Sequence, residues 1–294
     1  MTSEITKLQK YDALDGRTFL ICVGAMKCAT TWLYHYLASL EGVVVSPVKE
    51  LHFFSAKFPA HALSDMDALA MHRLGHHIAQ EGDAVENLMW HPTFRASVDR
   101  VQMIYDDDAY FGHFARLCTS ETKTLCDITP AYSTIGPDGF VYMRDFCASQ
   151  EMRVKILFVM RDPVDRLWSQ LRHITQTNPE AELTKRWAEA LQMPKIMVRS
   201  DYRYIVQDID EVFPHEDVLY LFYEDLFEES TLRQLCAFAD AAYVPGNVDT
   251  VHHRTELRVE LPGDARDAFR RALSAEYRFA RERFGDRIPS AWLP

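Results

Sequence analysis

Residues 24–37 read GAMKCATTWLYHYL and follow the apolar run TFLICV. A strand, a short loop and an amphipathic helix in that order present a helix N-terminus, whose unpaired N–H groups and positive dipole end attract an anion. A nucleoside-triphosphate loop of the form GxxxxGKS or GxxxxGKT would place Gly and Lys at positions 29 and 30. Ala29 and Thr30 stand there instead, and the lysine of the loop is Lys27. At the crest of the loop, Lys27 is placed to reach an oxygen bridging two anionic groups rather than a terminal γ-phosphate. Thr30 and Thr31 would then place two hydroxyls beside the bound anion. A left-handed Ala29 would cost about 1–2 kcal/mol, so helical dihedrals are expected for it. The plain alternative is a strand-to-helix turn with an exposed lysine and a threonine cap.

Such a loop needs a sheet behind it. Apolar runs rich in β-branched and aromatic residues predict strands at Thr18–Val23, Val43–Val45, Lys123–Cys126, Val154–Met160 and Val218–Phe222. Helical patterns lie between and after them, at Thr30–Leu40, Pro163–Arg172, Ser200–Val212 and Asp264–Phe284. Alternation of strands and helices predicts an α/β fold, a central parallel sheet flanked by helices. Residues 56–108 show no clear strand and are expected to form a mostly helical insertion over the working edge of the sheet. No repeat or Gly/Ser linker divides the chain, so one domain over residues 1–294 is expected.

The chain has 294 residues, 48% hydrophobic and 26% charged, with 32 Lys and Arg against 43 Asp and Glu and a formal charge of −11. That balance argues against nucleic acid, polyanions and a basic membrane patch, and leaves room for a small anion held by locally concentrated cations. There is no run of ~20 apolar residues to span a membrane and no signal-peptide pattern, so a cytoplasmic protein without a transmembrane segment is expected. The six cysteines form no CxxC pair and read as free thiols, mostly in the core. His72, His76 and His77 share helical spacing, but no nearby Glu or Cys pattern completes a site, and no metal is expected.

Further segments give the loop a context: SPVKELHFFS (46–55), DITPAYS (127–133), ILFVMRDPVDRLWSQLRH (156–173) and SDYRYIVQDIDEVFPHEDVLYLFYEDL (200–226). In order and spacing the chain resembles the PAPS-dependent sulfotransferases, especially the branch with the heparan sulfate O- and N-sulfotransferases. The loop is similar to that family's GxxKxGTTxL, with Ala29 in place of the common Gly. The other segments are similar to its KExxFF, (E/D)xTPxY and RDPxxRxxS patterns and to its SxY…FP…YEDL region. Resemblance is weakest at 56–108 and after Gly246.

The resemblance implies a P-loop-containing nucleotide-binding fold and the donor 3′-phosphoadenosine 5′-phosphosulfate (PAPS), with PAP as product. It implies that Lys27 neutralises the oxygen joining sulfate to phosphate, with Cys28, Ala29, Thr30, Thr31 and Trp32 around the phosphosulfate. Arg161 ends an apolar strand, with Asp162 and Pro163 as cap and first residue of the next helix, and could clamp a phosphate in bidentate fashion. The family makes Arg161 and Ser169 contacts of the 3′-phosphate, and places Tyr202 near the nucleotide. Glu50 is the candidate general base, because an acceptor hydroxyl or amine needs a carboxylate near the transferred sulfur. His52 would share its side of an extended segment, with Lys49 pointing oppositely. Asp127 would contact the acceptor, assist the base or cap a helix. Arg254, with His252 and His253, stands where the family closes a loop over the 3′-phosphate, without the usual Lys-Gly-Arg signature.

Sulfuryl transfer carries less charge than phosphoryl transfer and requires no metal in principle. The charge and the acidic insertion favour a neutral saccharide, a lipid head group or a small metabolite as acceptor over a polyanion. A P-loop kinase and a non-catalytic PAP-binding protein are the alternatives. The absent GKS or GKT and the presence of Arg161, suited to a phosphate that ATP lacks, disfavour the first; Lys27 and Glu50 disfavour the second.

Overall fold

The computed structural model describes residues 8–246 and 257–293. Arg254, His252 and His253 lie outside the described residues.

Five parallel strands form one sheet: β1 (Thr18–Gly24), β2 (Val43–Val45), β3 (Thr124–Ile128), β4 (Arg153–Met160) and β5 (Val218–Phe222), in the order β2-β3-β1-β4-β5. All residues of β1 and β3 are buried, as expected where helices cover both faces of a parallel sheet. Every strand was legible because each is a short β-branched or aromatic run; the structure extends the first and fourth by one residue each, and the third begins one residue later than expected and ends two residues later. From β1 the chain runs through α1 (Thr30–Ala38) to β2 and then to β3 on one side; from β3 it passes through α7 (Gly136–Cys147) to β4 on the other side of β1. The sheet therefore reverses direction beside β1, and the crevice at the carboxyl ends of its strands is where this topology receives ligands.

Between β2 and β3 lie helices α2 (Phe53–Lys57), α3 (Met66–Ile78), α4 (Ala84–Trp90), α5 (Pro92–Gln102) and α6 (Asp108–Leu117). An aromatic cluster welds part of this group to the sheet. Phe53 stacks on Tyr110 at 4.5 Å, Phe111 on Phe146 at 4.7 Å, and Phe19 meets Phe114 edge-on at 4.8 Å. Each such pair adds about 0.5–1.5 kcal/mol beyond its area burial.

After β4, α8 spans Pro163–Thr177, five residues longer than the pattern predicted. The helix expected over 264–284 is two helices, Gly263–Ala272 and Ser274–Phe284, with the buried Leu273 ending one and opening the next. The turn lets Tyr277 reach Asp162 at 2.8 Å, a contact a straight rod was not built to predict. Gly24 closes β1 because a Cβ there would lie 2.8 Å from the Phe158 ring and 2.9 Å from Ser133 Cβ. Among the described residues no helix is long and apolar enough to cross a membrane.

Candidate active site

Ala29 is the N-cap of α1 and adopts φ 57°, ψ 24°, the left-handed conformation, and Lys27 has φ 72°. The expectation of helical dihedrals at Ala29 is wrong. The loop must turn sharply out of β1 before α1 begins, and the chain accepts the strain of an L-residue where glycine would be unstrained. Ala29 also offers no side-chain oxygen to α1. By contrast, Asp65, Asp83 and Asp162 each accept two N–H groups at the starts of α3, α4 and α8. The N-terminus of α1 therefore has no side-chain cap from its N-cap residue, and its positive dipole end faces the loop.

Lys27 is flanked by charge. Burial, then Arg172 and Arg161, lower its pKa to about 8, while Glu50 acts in the opposite sense. Within a chain of net charge −11, Lys27, Lys49, Arg161 and Arg172 concentrate positive charge at this one edge. Arg161 leaves the end of β4, lays its guanidinium 4.4 Å from the centre of the Tyr223 ring and donates to the Lys27 carbonyl at 3.4 Å. Its backbone is fixed from behind. Tyr202 Oη accepts from Arg161 N–H at 3.2 Å and donates to Arg161 O at 2.9 Å, and Glu224 takes the Asp162 N–H at 2.8 Å. Tyr202 is buried, and its hydroxyl holds the Arg161 backbone. Asp162 caps α8 as its sequence position predicts. Ser169 lies buried on α8, and Arg172 and His173 follow three and four residues on, on the same face of that helix. That spacing was readable in the sequence, and the two residues were missed.

The second loop carries Glu50 and His52. Both are left-handed, at φ 61° and 58°, so the segment is not extended. Period-two alternation fails for that reason, and Lys49, expected to point away, makes a close ion pair with Glu50 Oε1. His52 Nε2 lies 3.5 Å from Glu50 Oε2. Burial acts to raise the Glu50 carboxyl, but His52 and Lys49 outweigh it and hold the group well below the usual carboxylate range. The side chain remains one-third exposed.

The loop backbone is pinned along its length. Glu50 N–H donates to Ile128 O at 3.1 Å, Arg73 donates to Glu50 O at 2.8 Å, Arg100 Nε to Leu51 O at 2.5 Å, and Phe53 N–H to Tyr132 Oη at 3.1 Å. Asp127 closes this frame: fully buried, it accepts from Tyr110 and Tyr132 at 2.9 Å each and from Thr129 at 2.6 Å. It caps no helix among the described residues, and Tyr132 links it to the loop of Glu50. Of six left-handed non-glycine residues in the described chain, four are Lys27, Ala29, Glu50 and His52. Strain concentrated in this way is characteristic of functional loops that their surroundings over-determine.

Beside Glu50 and His52 opens a cavity of about 430 Å³. Met26 of the first loop, Phe58, Leu63, Met66 and Leu69 give it apolar walls, and Arg199 and His173 also line it. Asp99, His113 and Ser46 form a second constellation, at 2.8 and 3.0 Å, that has the outline of a hydrolytic triad. Ser46 is buried and its hydroxyl donates to Val48 O, so this chain ties α5 and α6 to the exit of β2. Among the described residues no group of three or more His, Cys, Asp or Glu could hold a metal ion, and His77 instead stacks on Phe94.

A sulfotransferase from Alicyclobacillus acidocaldarius is similar in structure, with a TM-score of 0.62 and 23% identity over 94% of this chain and 98% of that one. The sulfotransferase domain of the olefin synthase of Synechococcus PCC 7002 superposes more loosely, with a TM-score of 0.47 and 16% identity over 96% of this chain and 99% of that one. No curated protein matches the chain. The model of the Sulfotransferase family matches residues 20–245, and the chain belongs to that family.

Proposed function

We propose that this member of the sulfotransferase family transfers a sulfuryl group from PAPS to a hydroxyl or amine of a small acceptor. The observation that carries the reading is the convergence of the left-handed Lys27 loop and the left-handed Glu50 loop at the crevice beside β1. One loop presents cations and the N-terminal end of α1. The other presents an ionised carboxylate.

In this reading Lys27 and the N–H groups from Cys28 to Trp32, with the Thr30 and Thr31 hydroxyls, hold the phosphosulfate, and Arg161 and Ser169 hold the 3′-phosphate. The acceptor oxygen attacks sulfur in line; its proton passes to Glu50, the new S–O bond forms, and the bond to the bridging oxygen breaks to release PAP. Lys27 neutralises the charge that grows on the departing oxygen. His52 orients the Glu50 carboxylate. A carboxylate held so low is a weak base in the free protein. Donor binding brings anionic charge beside Lys49, draws it from Glu50 and raises the affinity of Glu50 for the proton.

The test is transfer of labelled sulfate from PAPS in the wild type and in Glu50→Gln. General-base removal should lower kcat by about 10²–10⁴-fold, with PAP binding retained. Loss of PAP binding together with activity would assign Glu50 to donor binding instead.

A further inference from the structure

The cavity beside Glu50 contains polar groups that the protein itself leaves unmatched. Arg199 lines it and is buried, yet its guanidinium meets only backbone carbonyls, those of Lys195 and, at 2.9 Å, His61. Among the described residues no carboxylate lies within ion-pair distance of it. Arg100, equally buried, shows the ordinary solution, an ion pair with Asp67 at 2.7 Å. Burial and the neighbouring Arg166 lower the Arg199 pKa to about 10, the direction expected of a cation without a counter-ion. Two further buried polar atoms, His52 Nδ1 and Ser55 Oγ, also have no hydrogen-bond partner, and both residues line this cavity. A buried donor or acceptor left unmatched costs about 1–3 kcal/mol, and a buried charge more, unless a ligand completes it.

Resting on the proposed sulfuryl transfer, we propose that the acceptor is an apolar hydroxy-acid: its hydroxyl lies at Glu50 and His52, its hydrocarbon body fills the apolar walls, and its single carboxylate pairs with Arg199. The arginine fork matches a carboxylate bidentately. The volume is that of a small-molecule site. A single carboxylate is also compatible with the acidic chain, where a polyanion is not.

The experiment compares ω-hydroxydodecanoate with its methyl ester as acceptors of labelled sulfate from PAPS, in the wild type, Arg199→Lys and Arg199→Met, with PAP-induced thermal stabilisation recorded for each protein. The wild type should favour the acid over the ester by about 30-fold in kcat/KM, the size of a charge-assisted hydrogen bond. Arg199→Met should bring that ratio close to one, mainly through KM, and Arg199→Lys should restore part of it. Retained PAP stabilisation shows that a variant is folded. Equal turnover of acid and ester in the wild type, or no turnover of either by a protein that PAP stabilises, overturns the hydroxy-acid assignment and leaves the transferase reading standing. A wild type that PAP does not stabilise removes the donor reading itself, and the acceptor assignment with it.

Discussion

On the proposed function, Lys27 would give the site its pH dependence. Its pKa is lowered to about 8 from an ordinary 10.5 by burial and by the arginines beside it. An anionic donor bound as proposed would favour the protonated lysine and lift its pKa back up, so binding would take up a proton wherever the free site has lost one. Donor kcat/KM should therefore fall as pH rises through about 8. Calorimetry at about pH 9 in buffers of different ionisation heat should show uptake approaching one proton, absent in Lys27→Ala. Ala29 allows a stability test. Relief of a left-handed alanine is worth about 1–2 kcal/mol, and the added freedom of glycine in the unfolded chain returns about 0.4–1. Ala29→Gly should thus stabilise by roughly 0.5–1 kcal/mol in urea unfolding; destabilisation would show that the alanine methyl packs productively. At this scale residue types were legible and conformations were not: Lys27, Glu50 and Arg161 stand out by chemistry and position, whereas the positive φ of Ala29 and Glu50 is imposed by loops that only the assembled sheet fixes.

The elements position these groups through a buried polar frame. Tyr132 takes the Phe53 N–H and donates to Asp127, so it links the end of β3 to the loop bearing Glu50. Tyr132→Phe should cost about 1–3 kcal/mol through the unmatched N–H and carboxylate. It should also lower kcat several-fold without changing PAP-induced stabilisation, measured by single-turnover transfer beside thermal melting. An equal loss in PAP binding would show instead that the frame supports the donor loop. The strands and α1 were readable because hydrophobic period and turn chemistry are local. The Asp127 frame, Arg73, Arg100 and Arg199 were not, since each is a lone polar residue whose partner is brought to it only by tertiary packing. Lys49 was misjudged for the same reason: alternation holds only in extended backbone.

Across the whole molecule, charge is arranged against its average, with cations gathered at the crevice of an acidic chain. The link between the two ends of the second half has its own titration. Glu276, buried and accepting the Arg203 N–H at 2.9 Å, is pushed up to about 7, chiefly by burial. A carboxyl raised in the folded state contributes stability below its ordinary pKa of about 4.5 and loses it as pH rises through about 7. Glu276→Gln should accordingly raise the melting temperature relative to wild type more at pH 8 than at pH 5; an equal effect at both would contradict the sign. On the proposed function, the crevice beside β1 binds a nucleotide with both a 5′-terminal anion and a 3′-phosphate. The most direct measurement is thermal stabilisation by PAP beside AMP and ATP with Mg²⁺, in the wild type and Arg161→Ala. A ligand at ~100 times its dissociation constant adds about 2.7 kcal/mol, a clear melting shift. PAP should stabilise far more than AMP or ATP, and Arg161→Ala should abolish the difference. Stabilisation by ATP with Mg²⁺ and none by PAP would contradict it.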